Sequence, residues 1–265
     1  EKPWGEWFSL DELEAALIEH KPAILAMVHA ETSTGVCQPM EGIGDLCRKH
    51  DCLLLLDTVT SLGGVPLYID EWKVDLAYSC SQKGLSCPPG LGPFTMGPRA
   101  EAKMTARQGK VPNWYLDVSL LNQYWGSDRV YHHTAPVNMN FGMREALRLL
   151  AEEGLDQAWA RHRSNAEMLW NGLESLGLSM HVPAERRLPT LTTVRIPEGV
   201  DGKAFSQHLL NNHGIEVGGG LGSLAGKIWR IGLMGYNSTP ENVNRLLNLF
   251  ETELPRFSGS VAAAA

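Results

Sequence analysis

Two apolar runs, 22–29 (PAILAMVH) and 52–56 (CLLLL), flank a helix-like stretch at 41–50, and no other feature constrains the fold as tightly. Both runs are too short for a helix and lack the polar alternation of a half-exposed strand, so each reads as a strand buried on both faces. Strand, helix and strand in that order make a parallel βαβ unit. Further strands are predicted over 74–79 and 93–96. Ser9 with Glu12 three positions on is a capping-box pattern, and Leu10, Leu13, Leu17 and Ile18 recur at helical spacing, which predicts a helix over 9–19.

From Asn138 the texture changes to long helical patterns at 141–155 and 158–177, which suggest a bridge into a second unit. Short strands are expected around 190–196 and 227–233 with a helix at 203–212 between them. A last helix has Thr239 as N-cap, Pro240 at its first position, and Val243, Leu246, Leu247 and Phe250 on one face. The organisation expected is α/β, with residues 1–140 in a large α/β domain and 141–265 in a bridging helix and a small α+β domain. The alanines at 262–265 are expected to fray. There are no internal repeats.

Composition narrows the function. With 43% apolar residues over 265 positions the chain can bury a sizeable core, and a net charge of −7 argues against nucleic acid or an anionic membrane as partner. No apolar run approaches the length of a membrane-spanning helix. Cys37, Cys47, Cys52, Cys80 and Cys87 are odd in number and contain no C-x-x-C pair, so reduced, buried thiols are expected rather than a disulfide framework or a zinc ribbon. The first residues, Glu1 and Lys2, follow no initiator Met and no signal-like segment, so either an upstream part was removed or the numbering starts inside a longer protein. No peroxisomal S-K-L type ending is seen, and a cytoplasmic location is the expectation.

The chemistry concentrates on an acid and an amine. Asp57 follows the strand at 52–56, at the carboxyl end where open α/β sheets place their ligands. Lys83 follows the predicted strand at 74–79 in the run Ser79-Cys80-Ser81-Gln82-Lys83-Gly84. If the two strands are parallel, both side chains face one crevice. Such a pair suits pyridoxal 5'-phosphate (PLP): the lysine forms a Schiff base with the aldehyde and later shuttles a proton, while the carboxylate keeps the pyridine nitrogen protonated. Taken singly, a strand-end Asp is more often a cap residue and a lone Lys solvated surface. Arg230 interrupts an apolar strand, where a guanidinium wants either a ligand carboxylate or an internal salt bridge. His132-His133 reads as structural, because adjacent positions point apart on a strand. The glycine run at 218–222 reads as a tight substrate-side loop. No metal ligand set is expected.

The runs 29–35 (HAETSTG), 56–64 (LDTVTSLGG), 79–83 (SCSQK), 131–134 (YHHT) and 230–235 (RIGLMG) resemble the alanine–glyoxylate (serine–pyruvate) aminotransferases of class V, and the similarity covers nearly the whole chain from Phe8 to the last helix. The resemblance implies the PLP-transferase fold type I, here as the C-terminal part of the large parallel-sheet domain followed by a small α+β domain. It implies Lys83 as the Schiff-base lysine and Asp57 as the partner of the pyridine nitrogen. Val59 would pack on one ring face, and Thr32, often Ser in the family, would place a hydroxyl near the ring. Gln82 would contact the phosphate, Tyr131 and Thr134 would reach the phosphate bound by the other subunit of a homodimer, and Arg230 would bind the substrate carboxylate. The reaction implied moves an amino group from alanine or serine to glyoxylate, so the small-molecule partners are amino and keto acids.

Full-length members of that family begin well upstream, in a part that carries a phosphate cradle at a helix N-terminus and an aromatic ring stacked on the cofactor. If the 265 residues are the whole polypeptide, weak or absent activity is expected. If they belong to a longer or nicked protein, the assignment to Lys83 stands. Two other readings compete: another class V enzyme, such as a cysteine desulfurase or phosphoserine aminotransferase, and a catalytically incomplete dimerising scaffold. A desulfurase needs a mobile cysteine near the C-terminal domain, whereas every cysteine here lies at or before Cys87.

Overall fold

The computed structural model describes residues 1–258; the alanine tail at 262–265 lies outside the described residues. Helix α1 (Leu10–His20) begins on the predicted capping box, with the Ser9 hydroxyl accepting the Glu12 amide and the Glu12 carboxylate accepting the Ser9 amide. Strand β1 (Ile24–Val28), the two-residue strands β2 (Ala30–Glu31) and β3 (Val36–Cys37), α2 (Ile43–Lys49), β4 (Leu53–Asp57), β5 (Leu76–Tyr78) and β6 (Phe94–Met96) follow. β1, β4 and β5 are parallel neighbours and β6 joins antiparallel, in the order β1-β4-β5-β6. The βαβ unit read from the sequence is therefore present.

β4 is buried on both faces as expected, but β1 is not. Its Leu25 and Met27 pack on the core, while Ile24 and Val28 are 47% and 40% exposed. β1 is the end strand of this sheet, and only its inner face is covered by α1 and α2. An uninterrupted apolar run records which residues a strand carries, not whether a second layer lies over it.

Four helices continue the chain: α3 (Pro98–Thr105), α4 (Val118–Trp125), α5 (Val137–Glu153) and α6 (Leu155–Ser175). The buried Asp75 accepts from the Leu54 amide and, at 2.9 Å, from Arg99 of α3, which also donates to the Cys52 carbonyl. That ion pair fixes α3 under β4 and β5.

The remaining elements are β7 (Leu191–Arg195), α7 (Gly202–His213), β8 (Gly218–Gly219), β9 (Ile228–Gly232) and α8 (Pro240–Glu253). They form an antiparallel sheet of order β7-β9-β8 covered by helices. Thr239 caps α8 with Pro240 at its start, as predicted. The core of this unit is aromatic: Phe205 lies 5.3 Å from Trp229 and 5.0 Å from Phe250, edge to face. Each such ring contributes about 1.5–3 kcal/mol by leaving water. The glycine run departs from its expected loop, because Gly218–Gly219 is strand β8 and a Cβ at Gly220 would meet the Leu224 carbonyl at 2.0 Å. Among the described residues no helix is long and apolar enough to cross a membrane.

All five cysteines are free; Cys47, Cys52 and Cys87 are buried, and Cys37 and Cys80 only partly so. Burial pushes the Cys37 and Cys47 thiols up to about 12, which makes them poor nucleophiles.

His29, just after β1, is 3% exposed, and its Nδ1 has no hydrogen-bond partner among the described residues. Burial lowers its pKa from 6.5 to about 4. Between those values the unfolded chain binds the proton and the folded one does not, so stability falls as pH drops through that window. The expected loss across that window is about 3 kcal/mol. Burial lowers the His162 pKa too, which adds to the loss in the same direction. Urea unfolding followed from pH 6.5 to about 4 checks this, and His29→Gln should flatten the dependence; an unchanged slope in that variant would place its origin elsewhere.

Candidate active site

Parallel register sets Asp57 of β4 directly beside Tyr78 of β5. The Tyr78 hydroxyl donates to Asp57 Oδ2 at 2.6 Å, and the Val59 amide donates to Oδ1 at 2.8 Å. Both carboxylate oxygens are thereby oriented. The bond to Asp57 raises the Tyr78 pKa to about 12, with burial adding to it, so the phenol keeps its proton and acts as the donor. Tyr78 escaped the sequence reading because an aromatic residue in a strand reads as a β-former, and strand register cannot be seen in one sequence.

After β5 the chain turns through Gln82, which is exposed, and Lys83, which is partly buried. Among the described residues the Lys83 amine makes no hydrogen bond and no ion pair, although its carbonyl accepts the Ser86 amide at 2.9 Å. The next residue locks this turn to the one after Asp57. A Cβ on Gly84 would lie 2.3 Å from the Leu62 carbonyl oxygen, so the two backbones touch where only glycine fits. Gly63, with φ of +83°, faces Gly84 across the contact. Gly84→Ala is expected to cost roughly 1–3 kcal/mol as the turns are forced apart. Urea midpoints measure it, and an unaltered midpoint would show that the backbones do not press on each other.

Arg230 lies in the middle of β9, opposite Thr193 of β7 and Gly218 of β8. Its Nε donates to the Gly219 carbonyl at 2.7 Å and its Nη1 to the Thr32 carbonyl at 3.2 Å. No acidic side chain pairs with it among the described residues, so the internal salt bridge is not what holds it. The guanidinium keeps donors for a carboxylate that the fold does not supply. Thr32 sits at the tip of the β2–β3 hairpin, and its hydroxyl makes no hydrogen bond among the described residues.

Polar contacts join the two units around these groups. Thr190 donates to the Thr60 carbonyl at 2.8 Å, Thr193 to the Thr34 carbonyl at 2.7 Å, and the Tyr236 amide to Ser86 Oγ at 2.8 Å. The buried His162 bridges further: its Nδ1 lies 2.6 Å from the Ala158 carbonyl, and its Nε2 accepts the Gly235 amide at 2.9 Å. Those partners require the neutral ring with its proton on Nδ1.

Tyr131 and Thr134 stand apart from this group. Both are exposed, Tyr131 by 70%, and their hydroxyls lie 2.8 Å from each other, with no hydrogen bond to Asp57, Lys83 or Arg230. His132 and His133 correct the expectation that they point apart. The segment is not a strand, and their Nδ1 atoms lie 2.9 Å from each other while His132 stacks on Trp114. The predicted residues therefore fall into two sets: Asp57, Val59, Gln82, Lys83, Thr32 and Arg230 along the strand ends and the junction with the small sheet, and Tyr131 with Thr134 on an exposed segment. The first set lines neither of the two larger cavities, of about 590 and 740 Å³, which lie around Trp72 and Trp159 and around α1 and β1. An acid oriented through both oxygens, an unpaired amine on a locked turn and an unpaired guanidinium are suited to carbonyl and amine chemistry on a substrate that carries a carboxylate.

The chain is similar to alanine–glyoxylate aminotransferase of Oryctolagus cuniculus, 47% identical over 91% of this chain and 63% of that protein. Among solved structures it is similar to the alanine–glyoxylate aminotransferase of Nostoc sp., with a TM-score of 0.93 and 65% identity over 94% of this chain and 66% of that one. The ureidoglycine–glyoxylate aminotransferase of Bacillus subtilis matches with a TM-score of 0.94 and 40% identity over 97% of this chain and 66% of that one. The chain thus spans under two thirds of the length of curated relatives that it matches, 63% and 59% for the alanine–glyoxylate aminotransferases of Oryctolagus cuniculus and Mus musculus. The family model for aminotransferase class-V matches residues 5–246, and with an α/β fold shared with these structures the chain belongs to the class-V aminotransferases.

Proposed function

We propose that this chain carries the lysine-bearing part of a PLP-dependent aminotransferase that moves an amino group from alanine or serine to glyoxylate. The observation that carries the proposal is the unpartnered Lys83 amine on a turn locked by Gly84 against the turn that follows Asp57. The residues fit the cofactor: the Asp57 carboxylate is held by two donors, Lys83 is free to react, and Arg230 spends its bonds on carbonyls alone.

When bound, PLP supplies an aldehyde for the amine and a ring that draws electrons from the substrate Cα. Lys83 would hold the cofactor through its amine, and the same amine would serve to move the proton at the substrate Cα. Asp57 would keep a proton on the ring nitrogen by its negative charge. Val59 would pack against the ring and the Thr32 hydroxyl would supply a hydrogen bond near it. Gln82 would contact the phosphate. Arg230 grips the substrate carboxylate, which presents the amino group to the cofactor. Tyr131 and Thr134 present two adjacent, exposed hydroxyls, and they fit a homodimer in which they would bind the partner's phosphate. A desulfurase is disfavoured: every cysteine lies at or before Cys87, and burial raises Cys37 and Cys47 to about 12.

Borohydride reduction of the protein with PLP, followed by peptide mapping, tests the assignment. A phosphopyridoxyl group on the peptide containing Lys83, lost when L-alanine is added first, is the expected result. Modification spread over surface lysines, or none, would refute it.

A further inference from the structure

The carboxyl ends of α7 and α8 bring together three metal-ligating side chains that the chemistry above does not use. His208 and His213 lie on α7, and Glu253 is the last residue of α8. One ligand atom from each lies within 4.8 Å of the others, and the two imidazole centroids are 5.3 Å apart. His208 Nε2 is 2.9 Å from Glu253 Oε2, and Glu253 is only 8% exposed. Among the described residues His213 Nε2 is buried without any hydrogen-bond partner, an arrangement a structural ion pair between His208 and Glu253 does not account for. Phe257 packs on the His208 ring at 5.2 Å, and Arg245 of α8 donates to the His213 carbonyl, so the helix ends are held against each other.

We propose that His208, His213 and Glu253 form a binding site for one divalent transition-metal ion of the zinc type, which would staple α7 to α8. Two imidazoles and one carboxylate suit zinc, whereas calcium and magnesium take oxygen ligands. Metal bonds of about 2.0–2.2 Å in a tetrahedral set place ligand atoms roughly 3.3 Å apart. The 2.9 Å pair therefore opens slightly and the widest pair, at up to 4.8 Å, closes by a rotamer adjustment of partly exposed rings. Binding needs the Nε2 lone pair of His208, so the proton it shares with Glu253 goes to solvent and water completes the coordination. Arg256 donates to the same Glu253 oxygen at 2.6 Å and is a like charge to the ion; its side chain is 64% exposed, so it swings into water as the metal enters.

Chelator-treated protein dialysed against zinc chloride, with zinc measured per chain, tests the site independently of any enzymatic activity. One zinc per chain is expected. His208→Ala and His213→Ala should each weaken binding by more than about 100-fold, beyond the 10–100-fold cost of losing a supporting group. Arg256→Ala should tighten it several-fold, because a competing cation is gone. Circular dichroism establishes that the variants fold, and the unaltered protein is decisive on its own: failure to retain zinc overturns the proposal. So does zinc held equally by both histidine variants, which would place it on other ligands.

Discussion

Lys83→Ala is expected to lower transamination by about 10⁴-fold or more, the upper end of what one proton-transferring group supplies, with a lost covalent anchor added. The fold should not register the change. Among the described residues the Lys83 amine makes no hydrogen bond and no ion pair, its turn is held by the Ser86 amide and by Gly84, and such substitutions normally stay within about 0.5 kcal/mol. Activity and stability thus separate in one variant. Lys83→Arg sharpens the result: it keeps the positive charge, yet a guanidinium stays protonated and can neither attack an aldehyde nor accept a proton. Both variants should be equally inactive if the amine acts as nucleophile and base. The rate of pyruvate formation from L-alanine and glyoxylate, in a protein carrying this chain, is the measurement. A fall of less than about 10²-fold in the alanine variant would remove Lys83 from the chemistry.

Much of this arrangement was legible because it hangs from patterns that a single sequence displays. The apolar runs around α2 announced parallel strands, and Asp57 and Lys83 were read as following two such strands; the register makes β4 and β5 parallel neighbours, with Asp57 beside Tyr78. The caps at Ser9 and Thr239 were equally visible, since capping is local chemistry. What stayed hidden depends on contacts between distant segments. β2 and β3 are too short for any periodicity, and the paired glycines of β8 have no side chains to pattern. The exposure of β1 depends on what covers it. The buried Asp75–Arg99 pair joins residues that look solvated when read alone, and the state of Arg230 required knowing that no acidic side chain among the described residues pairs with it.

Asp57→Asn should lower kcat by about 10²–10³-fold, the usual cost of removing one oriented electrostatic group, with little change in KM for alanine because Arg230 is untouched. The amide has nearly the carboxylate's shape, so the loss reports charge. In the structure both Asp57 oxygens accept, one from the Val59 amide and one from the Tyr78 hydroxyl. An asparagine can accept from only one of them, and whichever way it turns it cannot hold a proton on a ring nitrogen by charge. Tyr78→Phe provides the contrast. It leaves the carboxylate charged and removes one hydrogen bond to it, worth about 1.5–3 kcal/mol when a charged group is involved, so a loss of about 10- to 100-fold is expected. If Tyr78 acts only by orienting Asp57, the two changes fall on one pathway and the double variant should be no worse than Asp57→Asn alone. Equal losses from the two single variants would mean that orientation, not charge, is what Asp57 contributes. A double variant that multiplies the two losses would mean that Tyr78 touches the reaction on its own account.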